Sequence, residues 1–311
     1  MIWSVLIPYR YICHMSTFSL LGAAGYVAPR HLKAIHDTGN SLVSVFDPSE
    51  SLGIMDQYFP DAVCFSNFSA YSSYHNHKHF VDYLTICSPN NDHFEQIKWG
   101  INHGANIICE KPLVLDPNEI PILEELEERT GKTIHTLLQL RLHPTVIELK
   151  NSITAGLIPL DKKKKIKIEY ITARGNWYFN SWKGRMEKSG GIVTNIGIHL
   201  FDLLIWLFGP VEGVELNHYS KKKASGMLEL RNASVSWMLS IDQDDLPEDC
   251  IQNGKRYYRQ LEIDGVEYRL DSGMEDLHTA CYREFLSGSG PGLLDAAPSI
   301  RLCHLINELS M

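Results

Sequence analysis

The chain has 311 residues, 44% of them apolar and 21% charged, with a formal net charge of −8. That length supports two domains with sizeable cores, and the composition is that of a soluble globular protein. The acidic balance excludes a general nucleic-acid binder; the lysine runs at Lys162–Lys165 and Lys221–Lys223 read as solvated strand ends or loops. Residues 1–14 are apolar in part but broken by Pro8, Arg10 and His14, so they are too short to span a bilayer. They carry no small-residue cleavage site and read as an extension or expression remnant ahead of a domain that starts at Met15. No membrane partner is expected. The seven cysteines (Cys13, Cys64, Cys87, Cys109, Cys250, Cys281, Cys303) form no C-x-x-C pair and are odd in number. Several sit in apolar runs, so they read as reduced, buried thiols of a cytoplasmic protein.

From Thr17 the chain alternates strand and helix. Thr17–Gly22 predicts a strand and the residues after it a helix to about Asp37, stopped by Thr38-Gly39-Asn40. Ser41–Phe46 is the next strand, ending in Asp47-Pro48. Asp82–Cys87 and Asn106–Cys109 predict buried strands, with a helix over His93–Asn102 between them and Gly104 as its cap. Pro117–Thr130 predicts an acidic amphipathic helix ended by Gly131, and Thr133–Leu140 a last strand. This is the β-α-β alternation of a doubly wound parallel sheet. The polar, tyrosine-rich stretch that ends in His75–His79 looks metal-like but reads as a solvated loop.

The second half reads differently. A helix over Pro144–Thr154 leads to strands near Ile166–Ala173, Met227–Leu230, Ala233–Ile241, Tyr257–Ile263 and Val266–Leu270, the last two joined by an Asp264-Gly265 hairpin turn. A strongly apolar helix, about Ile196–Phe208, is inserted among them, and helices over Glu275–Leu286 and Ala296–Leu309 close the chain. The fold class is therefore α/β: an N-terminal Rossmann-type parallel sheet over residues 15–141, then an α+β domain with a mostly antiparallel open sheet over residues 142–311.

Three segments can carry chemistry. The first is Leu20–His31, "LLGAAGYVAPRH". It follows a strand and opens a helix, which is the context a glycine-rich nucleotide turn requires. Its spacing is G-x-x-G-x-x-A rather than G-x-G-x-x-G. Gly22 permits a tight turn, Gly25 lets backbone approach a pyrophosphate, and Ala28 allows close helix–strand packing. The helix start offers free N–H groups to phosphate; Ala24, Tyr26 and Val27 lie on this turn. Asp47, 22 residues beyond Gly25, stands where a carboxylate accepts both ribose hydroxyls and repels a 2′-phosphate, favouring NAD over NADP. A packing turn without ligand gives the same local pattern.

The second segment comprises the strand ends "CSPNNDH" (Cys87–His93) and "CEKP" (Cys109–Pro112), at the carboxyl edge where ligands bind in such sheets. Lys111, beside Glu110, can donate to a substrate oxygen and stabilise developing alkoxide charge; a surface salt bridge is the plainer use. The third is "SGGIVTNIGIHLFD", Ser189–Asp202. Asn195, His199 and Asp202 are spaced to share one face of an apolar helix. A histidine there can act as general base near neutral pH or serve as a buried structural group. His199 and Asp202 lack a third ligand at close spacing, so no metal is expected.

These segments together resemble the glucose–fructose oxidoreductase and inositol dehydrogenase family of NAD(P)-dependent sugar oxidoreductases, over nearly the whole chain from Met15. The resemblance implies a Rossmann domain followed by an α/β domain whose open sheet helps form a dimer or tetramer. It implies that Lys111 and His199 flank the sugar carbon that loses hydride. It also implies cofactor contacts from Gly22, Ala24, Gly25, Tyr26, Val27, Asp47, Ser88, Asn90, His93, Glu110, Lys111, Gln139 and Trp182. "GAAGYVAPRH", "ICSPNNDH", "ITARGNWYFNSWKG" and "GMEDLHTACYREFLSG" look like the bacterial UDP-N-acetylglucosaminuronate 3-dehydrogenases. Those enzymes oxidise C3″ on the way to the 2,3-diamino sugars of O-antigen, and some recycle NADH with 2-oxoglutarate. On that resemblance Arg174, Asn176 and Lys183 read polar groups of the sugar, and Trp177, Tyr178 and Trp182 form flat walls. Asn195, where many family members carry aspartate, orients substrate, and Arg141 or Arg174 pairs with the uronate carboxylate. The alternatives are a relative acting on UDP-N-acetylglucosamine or a free polyol, told apart by whether a basic side chain faces C6, and a non-catalytic NAD-binding regulator.

Overall fold

The computed structural model describes residues 15–77, 81–270 and 273–311; the expected extension at residues 1–14 and part of His75–His79 lie outside them. The first sheet contains β1 (Thr17–Leu21), β2 (Ser41–Phe46), β3 (Val63–Phe65), β4 (Tyr83–Ile86), β5 (Asn106–Cys109) and β6 (Ile134–Thr136), in the order β3-β2-β1-β4-β5-β6. Every pairing is parallel. Buried on both faces, β1 and β4 are nearly continuous apolar runs, as parallel strands must be. The strand order reverses between β1 and β4, which opens the crevice at their carboxyl ends.

The second sheet contains β7 (Lys164–Thr172), β8 (Val211–Tyr219), β9 (Lys223–Leu230), β10 (Ala233–Ser240), β11 (Tyr257–Ile263) and β12 (Val266–Arg269), in the order β12-β11-β7-β10-β9-β8. Only β7 and β10 pair in parallel. The strict alternation of β9 gives the sheet a buried face. The helix Ile198–Phe208 packs there: Phe201 meets the Trp237 ring edge-on at 5.3 Å within a cluster that also holds Leu204, Phe208, Leu228 and Leu239. Truncating Phe201 to alanine removes roughly 3–5 kcal/mol of that packing. The run Met186–Phe208 is apolar and long enough to cross a membrane, yet 72% of its apolar window is buried inside the fold.

Three differences from the sequence expectation have physical causes. The tyrosine-rich stretch is a helix, Phe68–His77, not a solvated loop: Tyr71 and His75 are buried, and Ser44 Oγ bonds His75 Nε2 at 2.8 Å. β8 was not expected because two register shifts break its period of two. β6 is shorter than Thr133–Leu140; the chain leaves the sheet and makes a 3₁₀ turn at Gln139–Leu142. Among the cysteines, Cys64 is exposed rather than buried. Finally, the helix Leu277–Leu286 returns to the first sheet, where Cys281, Tyr282 and Phe285 join Phe18, Leu32 and Ile108 in one core.

Candidate active site

The turn after β1 is built around one glycine. Gly22 has φ +86°, and a Cβ there would come within 2.6 Å of the Cys87 carbonyl carbon and the Ser88 nitrogen. Its N–H donates to Phe46 O at 2.8 Å, and the Gly25 N–H donates back to Gly22 O at 3.0 Å. Asp47, at the end of β2, accepts the Ala24 N–H on Oδ2 at 2.9 Å and the Ser49 N–H on Oδ1 at 2.8 Å. Its carboxylate is thereby fixed against the turn, and each oxygen keeps a lone pair for a hydroxyl. The N–H groups of Tyr26 and Val27 have no acceptor among the described residues. These two amides at a helix start fit the pyrophosphate of a dinucleotide. The exposed Tyr26 ring lies under Arg30 and Lys183, at 5.3 and 5.6 Å.

At the end of β5, Glu110 is buried and fully used. Oε1 accepts from His31 Nε2 at 3.1 Å and from His278 Nε2 at 3.3 Å, and Oε2 accepts from the Lys111 N–H. Burial alone would raise the carboxyl pKa; the bonds from His278 and His31 outweigh it and hold Glu110 well below the usual range. Burial lowers the pKa of His31. Its neutral ring donates from Nε2, and Nδ1 accepts from Tyr282 Oη at 2.9 Å. Tyr282 Oη in turn meets Thr85 Oγ1 at 2.9 Å. His31, His278 and Tyr282 lie inside the segments "GAAGYVAPRH" and "GMEDLHTACYREFLSG" but carried no assigned role there, and Thr85 lies in none of the segments singled out. The ligand atoms of His31, Glu110 and His278 lie within 4.8 Å of one another, joined by these hydrogen bonds.

Lys111 projects from this anchored strand end and donates from Nζ to Asn195 O at 2.8 Å. Its pKa is lowered to about 8, first by burial and then by the nearby charges of Lys183 and Arg174, with Glu110 opposing. Asn195 lies on a π-helical turn, Val193–Gly197, and His199 on the helix Ile198–Phe208 that the turn feeds. Asn195 Nδ2 donates to Tyr178 Oη at 3.0 Å. Burial and the Lys111 charge push His199 well below its ordinary pKa, and its buried Nδ1 has no hydrogen-bond partner among the described residues.

Lys111, Asn195 and His199 open into one cleft of about 770 Å3 between the two sheets. Among the described residues, six cations line it (Arg30, Lys111, Arg174, Lys183, Arg256 and Arg259) against one carboxylate, Glu110, on a chain whose net charge is −8. Such a concentration favours polyanionic ligands. Gln139 also reaches the cleft, and its buried Oε1 has no hydrogen-bond partner among the described residues. The end of the β6 connection thus offers an acceptor to an amide. Tyr26, Val27, Glu110, Arg174, Trp177, Tyr178 and Lys183 complete the expected residues on its walls.

Other expected site residues have different work. Arg141 is not available to a uronate: Nε and Nη2 grip the Asp202 carboxylate at 3.0 and 2.7 Å, and Nη1 takes Asp295 at 2.9 Å. Asp202 consequently faces Arg141 rather than joining Asn195 and His199. His93 is buried and links two loops, with Nδ1 at 2.8 Å from Pro112 O and Nε2 at 3.1 Å from Ser88 O. Asn90 Nδ2 donates to Ser189 O at 3.0 Å, and Ser88 Oγ donates to Gln96 Oε1 at 2.6 Å. These bonds hold the loops at the cofactor edge together. Asn176 is exposed outside the cleft walls. Trp182 also lies outside them and supports Lys183, whose Nζ sits 5.3 Å from its ring centre.

Comparison with known proteins agrees with this architecture. Residues 17–137 match the oxidoreductase family model described as an NAD-binding Rossmann fold, and residues 160–250 match that family's C-terminal alpha/beta domain. A solved structure of the WlbA (WbpB) dehydrogenase from Thermus thermophilus with NAD and alpha-ketoglutarate superposes with a TM-score of 0.91. The two are 46% identical over 95% of this chain and 96% of that one. The same enzyme with NAD and UDP-GlcNAcA gives 0.88 and 45% identity over 94% and 95%. A curated relative, D-glucoside 3-dehydrogenase of Escherichia coli, is 24% identical over 55% of each chain. The chain spans between about 37% and 58% of the length of the first curated relatives it matches. With both domain models matched in order and a 46% identical structure covering almost the whole chain, the protein belongs to the Gfo/Idh/MocA oxidoreductase family, with an NAD-binding Rossmann domain and a C-terminal alpha/beta domain.

Proposed function

We propose that this protein is an NAD-dependent dehydrogenase that oxidises the C3 hydroxyl of a UDP-linked N-acetylglucosaminuronic acid to the 3-keto sugar. The observation that carries this reading is the convergence of Lys111 Nζ and His199 in one strongly cationic cleft. The 46% identity to a dehydrogenase solved with NAD, and separately with UDP-GlcNAcA and alpha-ketoglutarate, supports the substrate class.

Bound NAD supplies the hydride acceptor. The amides of Tyr26 and Val27 would hold its pyrophosphate, Asp47 its adenosine ribose and Gln139 Oε1 its carboxamide. The remaining chemistry is a proton transfer that the chain's own groups manage. Burial keeps His199 neutral, so the ring is ready to accept the proton of the C3 hydroxyl. Lys111, protonated below about pH 8, donates to the same oxygen and stabilises alkoxide charge as the C3 hydride departs. The carbonyl of Asn195 fixes Nζ, and the paired Glu110 fixes the backbone beneath it, so the donor is oriented before substrate arrives. Returning hydride and proton to C2 of a 2-oxo acid uses the same two groups in reverse and yields a 2-hydroxy acid.

The test is to incubate the protein with UDP-GlcNAcA carrying deuterium at C3, with and without 2-oxoglutarate. The expected products are the 3-keto sugar and, with the oxo acid, 2-hydroxyglutarate labelled at C2. H199N should abolish both while NAD remains bound. Turnover of UDP-GlcNAc or inositol but not of the uronate would overturn the substrate; full activity in H199N would overturn the base.

A further inference from the structure

The cleft has a cation with no carboxylate partner among the described residues. Arg259 lies on β11 directly opposite Tyr170 of β7, and Tyr257 lies opposite Thr172, so all four side chains project from one face of the second sheet into the cleft. The Arg259 guanidinium sits 4.9 Å from the centre of the Tyr170 ring and 5.1 Å from that of Tyr257. Two aromatic contacts fix the plane of the fork in advance, an arrangement that suits arginine and not lysine. No carboxylate pairs with it among the described residues, and its buried Nε has no hydrogen-bond acceptor. A buried guanidinium N–H left unpaired is unfavourable unless a ligand completes it.

The other cations are placed differently. Arg141 is consumed by Asp202 and Asp295. Arg30 and Lys183 lie over Tyr26 at the dinucleotide turn. Arg174 is exposed over Trp177, and Arg256 is exposed ahead of β11. Arg259 is held in place, unpaired and close enough to His199 for its charge to act on that ring.

We propose that Arg259, clamped between Tyr170 and Tyr257, is the specificity-determining residue of the cleft and receives the carboxylate of the acid substrate in a two-pronged ion pair. This rests on the reading of the cleft as a dehydrogenase site for a uronic acid. A uronate carries its carboxylate across the ring from C3, and a 2-oxo acid carries one beside its reacting carbon. One fork reaching the region of His199 therefore serves an anion in either half-reaction. The ligand carboxylate also offsets the Arg259 charge that acts against His199, so an acid ligand improves the base that a neutral sugar leaves weak.

The experiment is calorimetric titration of the NAD-loaded protein with UDP-GlcNAcA, UDP-GlcNAc and 2-oxoglutarate, for wild type, R259M and R259K. R259M preserves the stem between the two rings and should weaken UDP-GlcNAcA and 2-oxoglutarate by roughly 10–100-fold. The neutral UDP-GlcNAc should change by less than about threefold. R259K, with charge but no fork, should recover only part of the loss. Weakening of only one acid supports the carboxylate site and assigns it to that ligand. Equal weakening of acid and neutral sugars, or no weakening of either acid, overturns the proposal. Wild-type protein that binds 2-oxoglutarate through Arg259 but neither UDP-sugar overturns the uronate reading and leaves the carboxylate site standing.

Discussion

Replacing Lys111 with methionine should inactivate the protein and make it more stable. The ammonium sits where burial and two neighbouring cations lower its pKa from 10.5 to about 8. That displacement corresponds to roughly 3 kcal/mol of unfavourable charge in the folded state. Lys111 keeps some contact with cleft water, which reduces the penalty, and methionine forfeits the bond to Asn195 O, worth about 1 kcal/mol. A net gain of about 1–2 kcal/mol remains, or roughly 2–4 °C per kcal/mol in Tm for a chain near this size. The pH dependence carries the signature. Below about pH 8 both folded and unfolded wild type hold the proton and the full penalty applies. Between about 8 and 10.5 the unfolded chain binds more protons than the folded one, so wild-type stability rises with pH. The advantage of K111M should therefore be largest near pH 7 and shrink toward pH 10. Urea unfolding of both proteins without ligand, at pH 7, 8.5 and 9.5, measures it. A K111M protein no more stable at pH 7, or more stable by the same amount throughout, would refute the assignment of a strained, functional ammonium.

Three further outcomes follow from the same geometry. In the pH profile of kcat/KM, activity should fall as Lys111 deprotonates near pH 8, and E110Q should move that limb to lower pH, because Glu110 is the group that raises Lys111; an unmoved limb would separate the two residues. R141M leaves the buried Asp202 without its partner and should lose about 3–5 kcal/mol in urea unfolding. Its KM should stay within a few-fold of wild type, whereas a large rise in KM would return Arg141 to the substrate. G22A puts a Cβ against the Cys87–Ser88 backbone at positive φ and should cost at least about 1–3 kcal/mol along with NAD affinity; unchanged Tm and NAD titration would refute the close approach.

The sequence made the parallel sheet legible because its strands are short apolar runs bounded by turn residues, and Ser41–Phe46, Asn106–Cys109 and the helix His93–Asn102 are found at the expected residues. Lys111 and His199 were visible as polar groups in apolar settings at a strand end and on a helix. Most of the misread side chains share one cause: their partners lie on other elements of the fold. Arg141 looks free until Asp202, 61 residues on, is folded against it. His93 looks like a ligand until its ring is seen bridging Ser88 and Pro112. The helix Phe68–His77 has no clean apolar stripe, because Phe46, Phe65 and Trp99 surround Tyr71 from several sides. Arg259 carries no motif, since its meaning comes from the strand pairing that sets it opposite Tyr170.

The bond from Tyr282 to His31, and from His278 to Glu110, gives the order of synthesis a consequence. The first sheet has all its strands once about residue 136 has been made. The carboxylate under Lys111 is then still without His278, and His31 is without Tyr282, for more than a hundred residues of further translation. A chain stopped at that point holds Lys111 on an unfinished foundation and lacks Cys281, Tyr282 and Phe285 from the core of its first sheet. Competence for chemistry arrives only when the end of the polypeptide comes back to its beginning.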